Sequence, residues 1–206
     1  MTLKTALQNS AQALNIALTD TQSDHLLQYL HLLHKWNQAY NLTAVRDINE
    51  MLDRHIIDSL TVLPYLHGHR HCDVGTGAGL PGVPLAIMRP EDEFILVDSN
   101  GKKTRFLTQV IYELQLQNIT IVNQRIETYQ HEPFDTIMSR AFASLADMVD
   151  VTRHLCGPST IIIAMKSGHV ATELPALESD WNFEIHEIKA DKQSPARTLV
   201  ILQCVK

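Results

Sequence analysis

The run Asp73-Val74-Gly75-Thr76-Gly77-Ala78-Gly79-Leu80-Pro81-Gly82 sets three glycines at alternate positions between a short apolar segment and a longer apolar stretch. Cys72 to Val74 reads as the end of a buried strand. Leu80 to Met88 reads as a helix, with Pro81 near its start. A strand-to-helix turn of this composition lets backbone approach a ligand without obstruction by Cβ atoms. The helix start behind it offers N–H groups that lack partners within the helix. The run therefore predicts a cradle for a flat, polar ligand. The alternative is a tight turn that needs glycine for its own geometry.

Spacing narrows the ligand. A dinucleotide-binding turn reads G-x-G-x-x-G and lays a pyrophosphate on the helix start. Here the third glycine comes one residue early, and an acidic side chain, Asp73, stands two positions before the first. A carboxylate suits an amino-acid ammonium better than a pyrophosphate, because opposite charges attract near a partly buried site. S-adenosylmethionine (SAM) carries such an ammonium and no phosphate, and it is the co-substrate these residues predict.

Downstream, short apolar segments alternate with helical ones. Phe94 to Val97 ends in Asp98 and is followed by a helix through Phe106, Val110, Ile111 and Leu114. Ile119 to Val122, Thr136 to Met138 and Thr160 to Met165 read as further strands, with a helix over Leu145 to Leu155. Such alternation predicts an α/β fold with a parallel sheet covered on both faces. Phe183 to Ile188 and Thr198 to Val205 are separated only by the loop around Gln193-Ser194-Pro195, which predicts an antiparallel terminal hairpin. Seven strands with this tail suit a methyltransferase better than a dehydrogenase.

Three helices precede the first strand. Leu3, Leu7, Leu14 and Leu18 mark one helix. Thr19 and Gln22 form a capping box for the next, along which Leu26, Tyr29, Leu30, Leu33, Trp36 and Tyr40 recur at helical spacing. Met51, Leu52, His55, Ile56, Ser59, Leu60 and Leu63 share one side of a third, which begins near Asp47 and precedes Pro64 and Gly68. The expected organisation is an N-terminal helical segment, 1–66, packed on a SAM-binding core, 67–206. With 45% hydrophobic and 19% charged residues, the chain can bury a substantial core. It has no secretory leader pattern and no apolar run of membrane-spanning length, so a soluble cytoplasmic protein is expected. Cys72, Cys156 and Cys204, odd in number and far apart, read as reduced buried thiols. A net charge of −6 argues against a strongly basic nucleic-acid coat but leaves room for local basic patches.

In doubly wound sheets the ligand lies beyond the carboxyl ends of the strands. Asp98 at the end of the second strand can accept hydrogen bonds from both ribose hydroxyls, or it can cap the following helix. Arg125-Ile126-Glu127 after the third strand offers an apolar face for adenine and a carboxylate for its amino group, although any surface loop can hold such a triplet. Arg140 at the mouth of the fourth strand needs an anion or a structural carboxylate. Lys102, Lys103 and Arg105 reach phosphates or form a solvated helix face, and Lys166-Ser167-Gly168-His169 after the fifth strand raises the same choice. His67, His69 and His71 alternate as metal ligands on a strand would. No cysteine or carboxylate stands at fitting spacing, so no metal is expected. His55 and Asp58 lie too far along the chain to be linked to the cradle by sequence reasoning.

Together these motifs resemble the RsmG (GidB) family of bacterial 16S rRNA guanine-N7 methyltransferases, over nearly the whole chain. The resemblance rests on His34-Lys35-Trp36-Asn37, Tyr40-Asn41-Leu42-Thr43, Arg54-His55-Ile56 with Asp58-Ser59, and Asp73 to Gly82. It continues through Asp98-Ser99 with Lys102, Arg105-Phe106-Leu107 and Ser139-Arg140-Ala141-Phe142-Ala143-Ser144-Leu145. It implies a class I SAM-dependent methyltransferase, with a Rossmann-like, seven-stranded, mostly parallel sheet and an N-terminal helical extension. It also implies methylation of N7 of one guanine, position 527 in the usual rRNA numbering, in the 530 loop of 16S rRNA, with free 16S rRNA or the small ribosomal subunit as partner. Carried over by motif, Gly75, Leu80, Ile126, Glu127 and Arg140 resemble SAM-contact positions and Asp98 the ribose ligand; Asp73, Gly77 and Gly79 complete the turn. Arg140 and Lys166 are the candidates for catalysis, and Lys102, Lys103, Arg105 and Arg197 for RNA contact. Met165-Lys166-Ser167-Gly168 departs from the family's Leu-Lys-Gly. A methyltransferase of a small molecule or protein, and a non-catalytic RNA-binding assembly factor, are the competing readings.

Overall fold

The computed structural model describes residues 2–140, 142, 144–167, 170–177, 181–188 and 197–204. Its strands are β1 (Arg70–Val74), β2 (Glu93–Val97), β3 (Ile119–Val122), β4 (Phe134–Ser139), β5 (Cys156–Ser167), β6 (Trp181–Ile188) and β7 (Arg197–Cys204). They form one sheet in the order β3-β2-β1-β4-β5-β7-β6. β1 to β5 run parallel, while β7 lies antiparallel between β5 and β6. The terminal hairpin expected from the sequence is thus present, and the loop at Gln193-Ser194-Pro195 lies outside the described residues. Chain order steps outward from β1 to β3 and then returns to β4 beside β1. The switch point of this sheet therefore lies between β1 and β4.

The helices are α1 (Leu3–Ala13), α2 (Asp20–Tyr40), α3 (Ile48–Met51), α4 (Asp58–Leu60), α5 (Gly82–Met88), α6 (Gly101–Leu114) and α7 (Leu145–Thr152). Two expected boundaries shift for local reasons. α1 stops at Ala13, short of Leu14 and Leu18, because Asn15 adopts the left-handed conformation (φ 58°) that ends helices. α5 starts at Gly82 instead of Leu80, since the Gly82 N–H is held by Asp73 and Leu80-Pro81 belongs to the turn. The expected third helix is one continuous helical path, but Leu52–Ile57 winds as a π-helix between α3 and α4. The wider winding displaces carbonyls from the regular ladder, and such segments recur at functional sites.

The pleat sorts side chains to two faces. Phe94 and Leu96 of β2 join the core under α2, α5 and α6, whereas Ile95 and Val97 join the core under α7. Leu7, Leu26, Leu30, Leu33, Met51, Ile56 and Leu60 pack into that first core with Val83 and Phe106, so the N-terminal helices share an apolar interior with the sheet. Tyr29 of α2 carries this contact to the glycine turn: its fully buried hydroxyl donates to the Ala78 carbonyl at 2.7 Å, and burial raises its pKa. Tyr29→Phe leaves that buried carbonyl without its donor. Denaturant unfolding is expected to show a loss of about 1–3 kcal/mol.

Cys72 is fully buried, and burial raises its thiol pKa. Cys156 is half-buried, against the expectation of a fully buried thiol, because it lies at the start of β5. The histidine cluster is only partly a strand. Arg70 opens β1, so of the three imidazoles only that of His71 is on it. His69 Nδ1 and His71 Nε2 approach the two oxygens of buried Asp92 at 2.6 and 3.1 Å, and Arg89 Nε lies 2.8 Å from the same carboxylate. Burial would raise the Asp92 pKa, but its bonds to His69 and His71 and the nearby Arg89 charge outweigh that and lower it.

Candidate active site

The site is built at the carboxyl mouth of β1, β2 and β4. Asp73 is the fourth residue of β1, and its pleat position turns it toward α5. It is fully buried, and its Oδ2 accepts from the Thr76 hydroxyl (2.7 Å) and the Gly82 N–H (2.8 Å). One carboxylate oxygen thereby ties both ends of the turn. Burial pushes its pKa up to about 6, against the bonds from Thr76 and Gly82 that lower it. Its Oδ1 is buried with no hydrogen-bond partner among the described residues.

Gly77 and Gly79 have φ of 62° and 93°. A Cβ on Gly79 would lie 2.6 Å from Val83 and 2.7 Å from Leu107, so this position needs glycine for both backbone and packing. The turn spends its donors on itself: the N–H groups of Thr76, Gly79 and Leu80 bond Val97 and Thr76 carbonyls, and that of Gly77 bonds Asp98 Oδ2 at 2.9 Å. The cradle of unpaired donors expected from the sequence is therefore largely closed. A pyrophosphate needs such donors, whereas a ligand without phosphate does not. Leu80 is also placed differently from expectation. Its side chain is buried in the core of α5 and α6, and it supports the turn from behind.

Asp98, 7% exposed, follows β2. Besides the Gly77 contact, its Oδ1 accepts from the Asn100 N–H (2.8 Å), and Lys103 Nζ lies 3.5 Å from Oδ2. The helix cap is Asn100, whose side chain accepts from the Lys102 N–H, so capping is not the task of Asp98. A cleft of about 160 Å³ lies across the strand ends, lined in part by Gly75, Asp98, Ile126, Glu127 and Phe142. The structure thus brings together residues from the turns after β1, β2 and β3. Phe142 was foreseen only as part of a motif, although an aromatic side chain just past a strand mouth is a signal for such a place.

Arg140 follows β4, whose Ser139 hydroxyl donates to the Val74 carbonyl at 2.7 Å and locks the mouths of β4 and β1 together. Arg140 Nη1 donates to the Arg54 carbonyl (3.2 Å) in the π-helical segment and lies 3.4 Å from Asp58 Oδ2. His55 sits beside this contact. Its Nδ1 is 3.0 Å from the Arg54 carbonyl, which only accepts, so Nδ1 carries the proton and Nε2 accepts from Thr43 Oγ1 at 2.8 Å. Burial, then the Arg140 charge, lowers the His55 pKa to about 4, leaving a neutral ring. Lys166 Nζ lies 2.9 Å from Glu173 Oε2 and donates to the Phe142 carbonyl (3.4 Å), while Glu173 also accepts from the Leu145 N–H (2.7 Å). Lys166 is thereby engaged with the Phe142 carbonyl and Glu173. Gly168, His169, Ala141 and Ala143 lie outside the described residues. Of the basic residues expected at RNA, Lys102 and Arg105 are exposed on α6, Lys103 pairs with Asp98, and Arg197 pairs with Asp58 at 2.9 Å.

A mostly parallel sheet with its seventh strand inserted antiparallel beside the fifth, a glycine turn braced by a carboxylate, and a cleft at the switch point define a Rossmann-like, class I SAM-dependent methyltransferase fold. Solved structures share it. The putative methyltransferase yhhF from Escherichia coli aligns with a TM-score of 0.55 at 13% identity, covering 73% of this chain and 87% of that one. M. jannaschii TYW2 in complex with AdoMet gives 0.56 at 15% identity, covering 73% and 74%. The family is more particular: the chain belongs to GidB, rRNA small subunit methyltransferase G, whose family model matches residues 22–200. Curated relatives include ribosomal RNA small subunit methyltransferase G of Ectopseudomonas mendocina, 51% identical over 201 residues, 96% of this chain and 94% of that protein. The Escherichia fergusonii protein is 55% identical over 170 residues, covering 82% of each. No helix among the described residues is long and apolar enough to cross a membrane.

Proposed function

We propose that this chain transfers the methyl group of SAM to N7 of one guanine in the 530 loop of 16S rRNA. The observation that carries the reading is the convergence of Gly75, Asp98, Ile126 and Glu127 on one cleft that Phe142 also lines. In this reading Asp98 accepts from the ribose hydroxyls, Ile126 covers an adenine face and Glu127 accepts from the adenine amino group. Gly75, Gly77 and Gly79 shape the wall beside the methionine part, with Leu80 behind them. The fit is tested by Asp73, whose unpartnered, buried Oδ1 matches the ammonium that a SAM site has to neutralise.

Bound SAM supplies a methyl group on a positively charged sulfur. Guanine N7 has a free lone pair at neutral pH, so no side chain has to remove a proton. The residues of the chain act by alignment, which supplies up to about 7–11 kcal/mol when reacting atoms are held in line. A donor on N7 itself would block the nucleophile. Arg140, which also contacts SAM in this reading, and Lys166 accordingly serve beside the guanine, at O6 or a phosphate. Lys102 and Arg105 face solvent, where phosphates can reach them.

The test is transfer of labelled methyl from SAM to naked 16S rRNA and to small subunits from cells lacking the modification, followed by mapping of the product. The expected result is N7-methylguanine at one position, with transfer falling steeply as salt rises. SAM binding without transfer to either substrate would overturn the reading.

A further inference from the structure

The flank formed by α2 and α6 carries a groove of about 430 Å³, lined in part by Lys35, Trp36 and Tyr40 of α2 and by Gln109 and Glu113 of α6. Trp36 and Tyr40 are one helical turn apart, and their rings stack with centroids 5.0 Å apart at 28°. Trp36 also packs against Phe106 at 5.6 Å, which anchors it to the core. Tyr40 has no such burial and is 49% exposed. A large ring left this open on a rigid support adds little to the core and keeps surface free for stacking. The charges beside it are mostly positive. Lys35 lines the groove, and Lys102, Arg105 and Gln109 follow one another at intervals of three and four residues, so they share the α6 face that borders α2. Lys35, Lys102 and Arg105 are exposed, and none of them pairs with a carboxylate among the described residues. Glu113, toward the other end of α6, accepts from Gln109 Nε2 at 2.7 Å.

The cationic end of the groove adjoins the mouth of the sheet. α6 starts three residues after Asp98, and three residues past Tyr40 the Thr43 hydroxyl bonds His55 Nε2 at 2.8 Å. An aromatic face beside exposed cations suits unpaired nucleic acid, since each base has a face to stack and each nucleotide a phosphate to neutralise. A protein segment would have to supply a carboxylate and an apolar side chain separately. One nucleotide supplies both complements. We propose that Tyr40, backed by Trp36, is a stacking platform for an unpaired base of the 16S rRNA strand that flanks the methylated guanine, with Lys35, Lys102 and Arg105 holding neighbouring phosphates. The proposal rests on the RNA-methylating reading above, and it adds a surface that touches neither SAM nor the reacting guanine.

The test is equilibrium binding of a fluorescein-labelled 16S rRNA fragment containing the 530 loop, alongside methyl transfer to naked 16S rRNA and to small subunits. Tyr40→Leu keeps an apolar cover over Trp36 and removes the aromatic face. It is expected to weaken fragment binding and raise the rRNA KM by about tenfold, while Tyr40→Phe, which keeps the face, stays within about twofold of the unsubstituted chain. SAM affinity, kcat at saturating rRNA and the thermal midpoint are expected to hold in both variants. A merely structural ring would lower SAM affinity and the thermal midpoint together with RNA binding. Lys35→Gln removes one phosphate contact, so the slope of log affinity against log salt is expected to become shallower by about 0.7. Should Tyr40→Leu not fold, Lys35→Gln and Lys102→Gln, both at exposed side chains, decide through the same slope. Unchanged fragment binding in Tyr40→Leu, equal losses in Tyr40→Leu and Tyr40→Phe, or an unchanged slope in the lysine variants would overturn the platform. A loss confined to small subunits, with naked rRNA bound and methylated normally, would also overturn it and assign the ring to a ribosomal protein. Failure of the unsubstituted chain to methylate either substrate would remove the methylation reading alone, because fragment binding and its dependence on Tyr40 are measured without transfer.

Discussion

Asp98→Ala is expected to raise KM for SAM at least about a hundredfold, with a smaller fall in kcat at saturating SAM. Two effects add. A carboxylate accepting from two ribose hydroxyls makes charge-assisted bonds of about 1.5–3 kcal/mol each, and about 1.4 kcal/mol corresponds to tenfold in affinity. The same side chain also holds the Gly77 N–H at 2.9 Å, so its removal loosens the turn that forms the opposite wall of the cleft. Asp98→Asn separates the two contributions. An amide oxygen can still accept from Gly77, while the charge and one acceptor are lost, so an intermediate rise of about tenfold is expected. Equilibrium SAM binding alongside labelled transfer checks both variants. A KM within twofold of the unsubstituted value in Asp98→Ala would remove the residue from the ribose site.

The place of Asp98 was legible because it is set locally. It ends an apolar strand and precedes a helix with its own asparagine cap, and sheet geometry places any such residue at the ligand end. The glycine turn is legible for the same reason, although the sequence shows only its flexibility. Its internal hydrogen bonds, which close most of its donors, depend on Asp98 and Val97 and so require the fold. Asp58 marks the opposite limit. Its partners lie 82 and 139 residues away, and no periodicity connects a helix start near residue 58 to the mouths of β4 and β7. The family motif containing His55 and Asp58 signalled that something happens there, but the chemistry appears only when Arg140 and Arg197 arrive. Lys166 shows how a strand-end lysine can mislead: Glu173, which engages it, stands seven residues further along the chain and shares no pattern with it. The histidine run reads as a metal strand only if it is all strand. β1 begins at Arg70, and Asp92, supplied by the turn before β2, takes up His69 and His71.

Asp73→Asn is expected to stabilise the protein at neutral pH and to weaken SAM binding, a separation that follows from the burial of this carboxylate. Its pKa in the fold is about 6, above the ordinary 3.8. An acid whose pKa rises on folding binds its proton more tightly in the native state, so stability falls as pH rises from about 4 to about 6 and stays reduced above that. A shift of this size corresponds to about 3 kcal/mol, and an isosteric amide that keeps an acceptor for Gly82 and Thr76 relieves up to that amount at pH 7. Denaturant unfolding between pH 4 and 7 should show this part of the slope in the unsubstituted protein and lose it in Asp73→Asn. Binding responds with the opposite sign. An ammonium on Oδ1 stabilises the ionised carboxylate, so SAM affinity is expected to be about tenfold weaker at pH 5 than at pH 7, and weaker at pH 7 but nearly flat across that range in Asp73→Asn. A flat profile in the unsubstituted protein would leave Asp73 as a brace of the turn and move the ammonium to another partner. The residue that brings the least comfort to the fold would then be there for the shape of the loop alone.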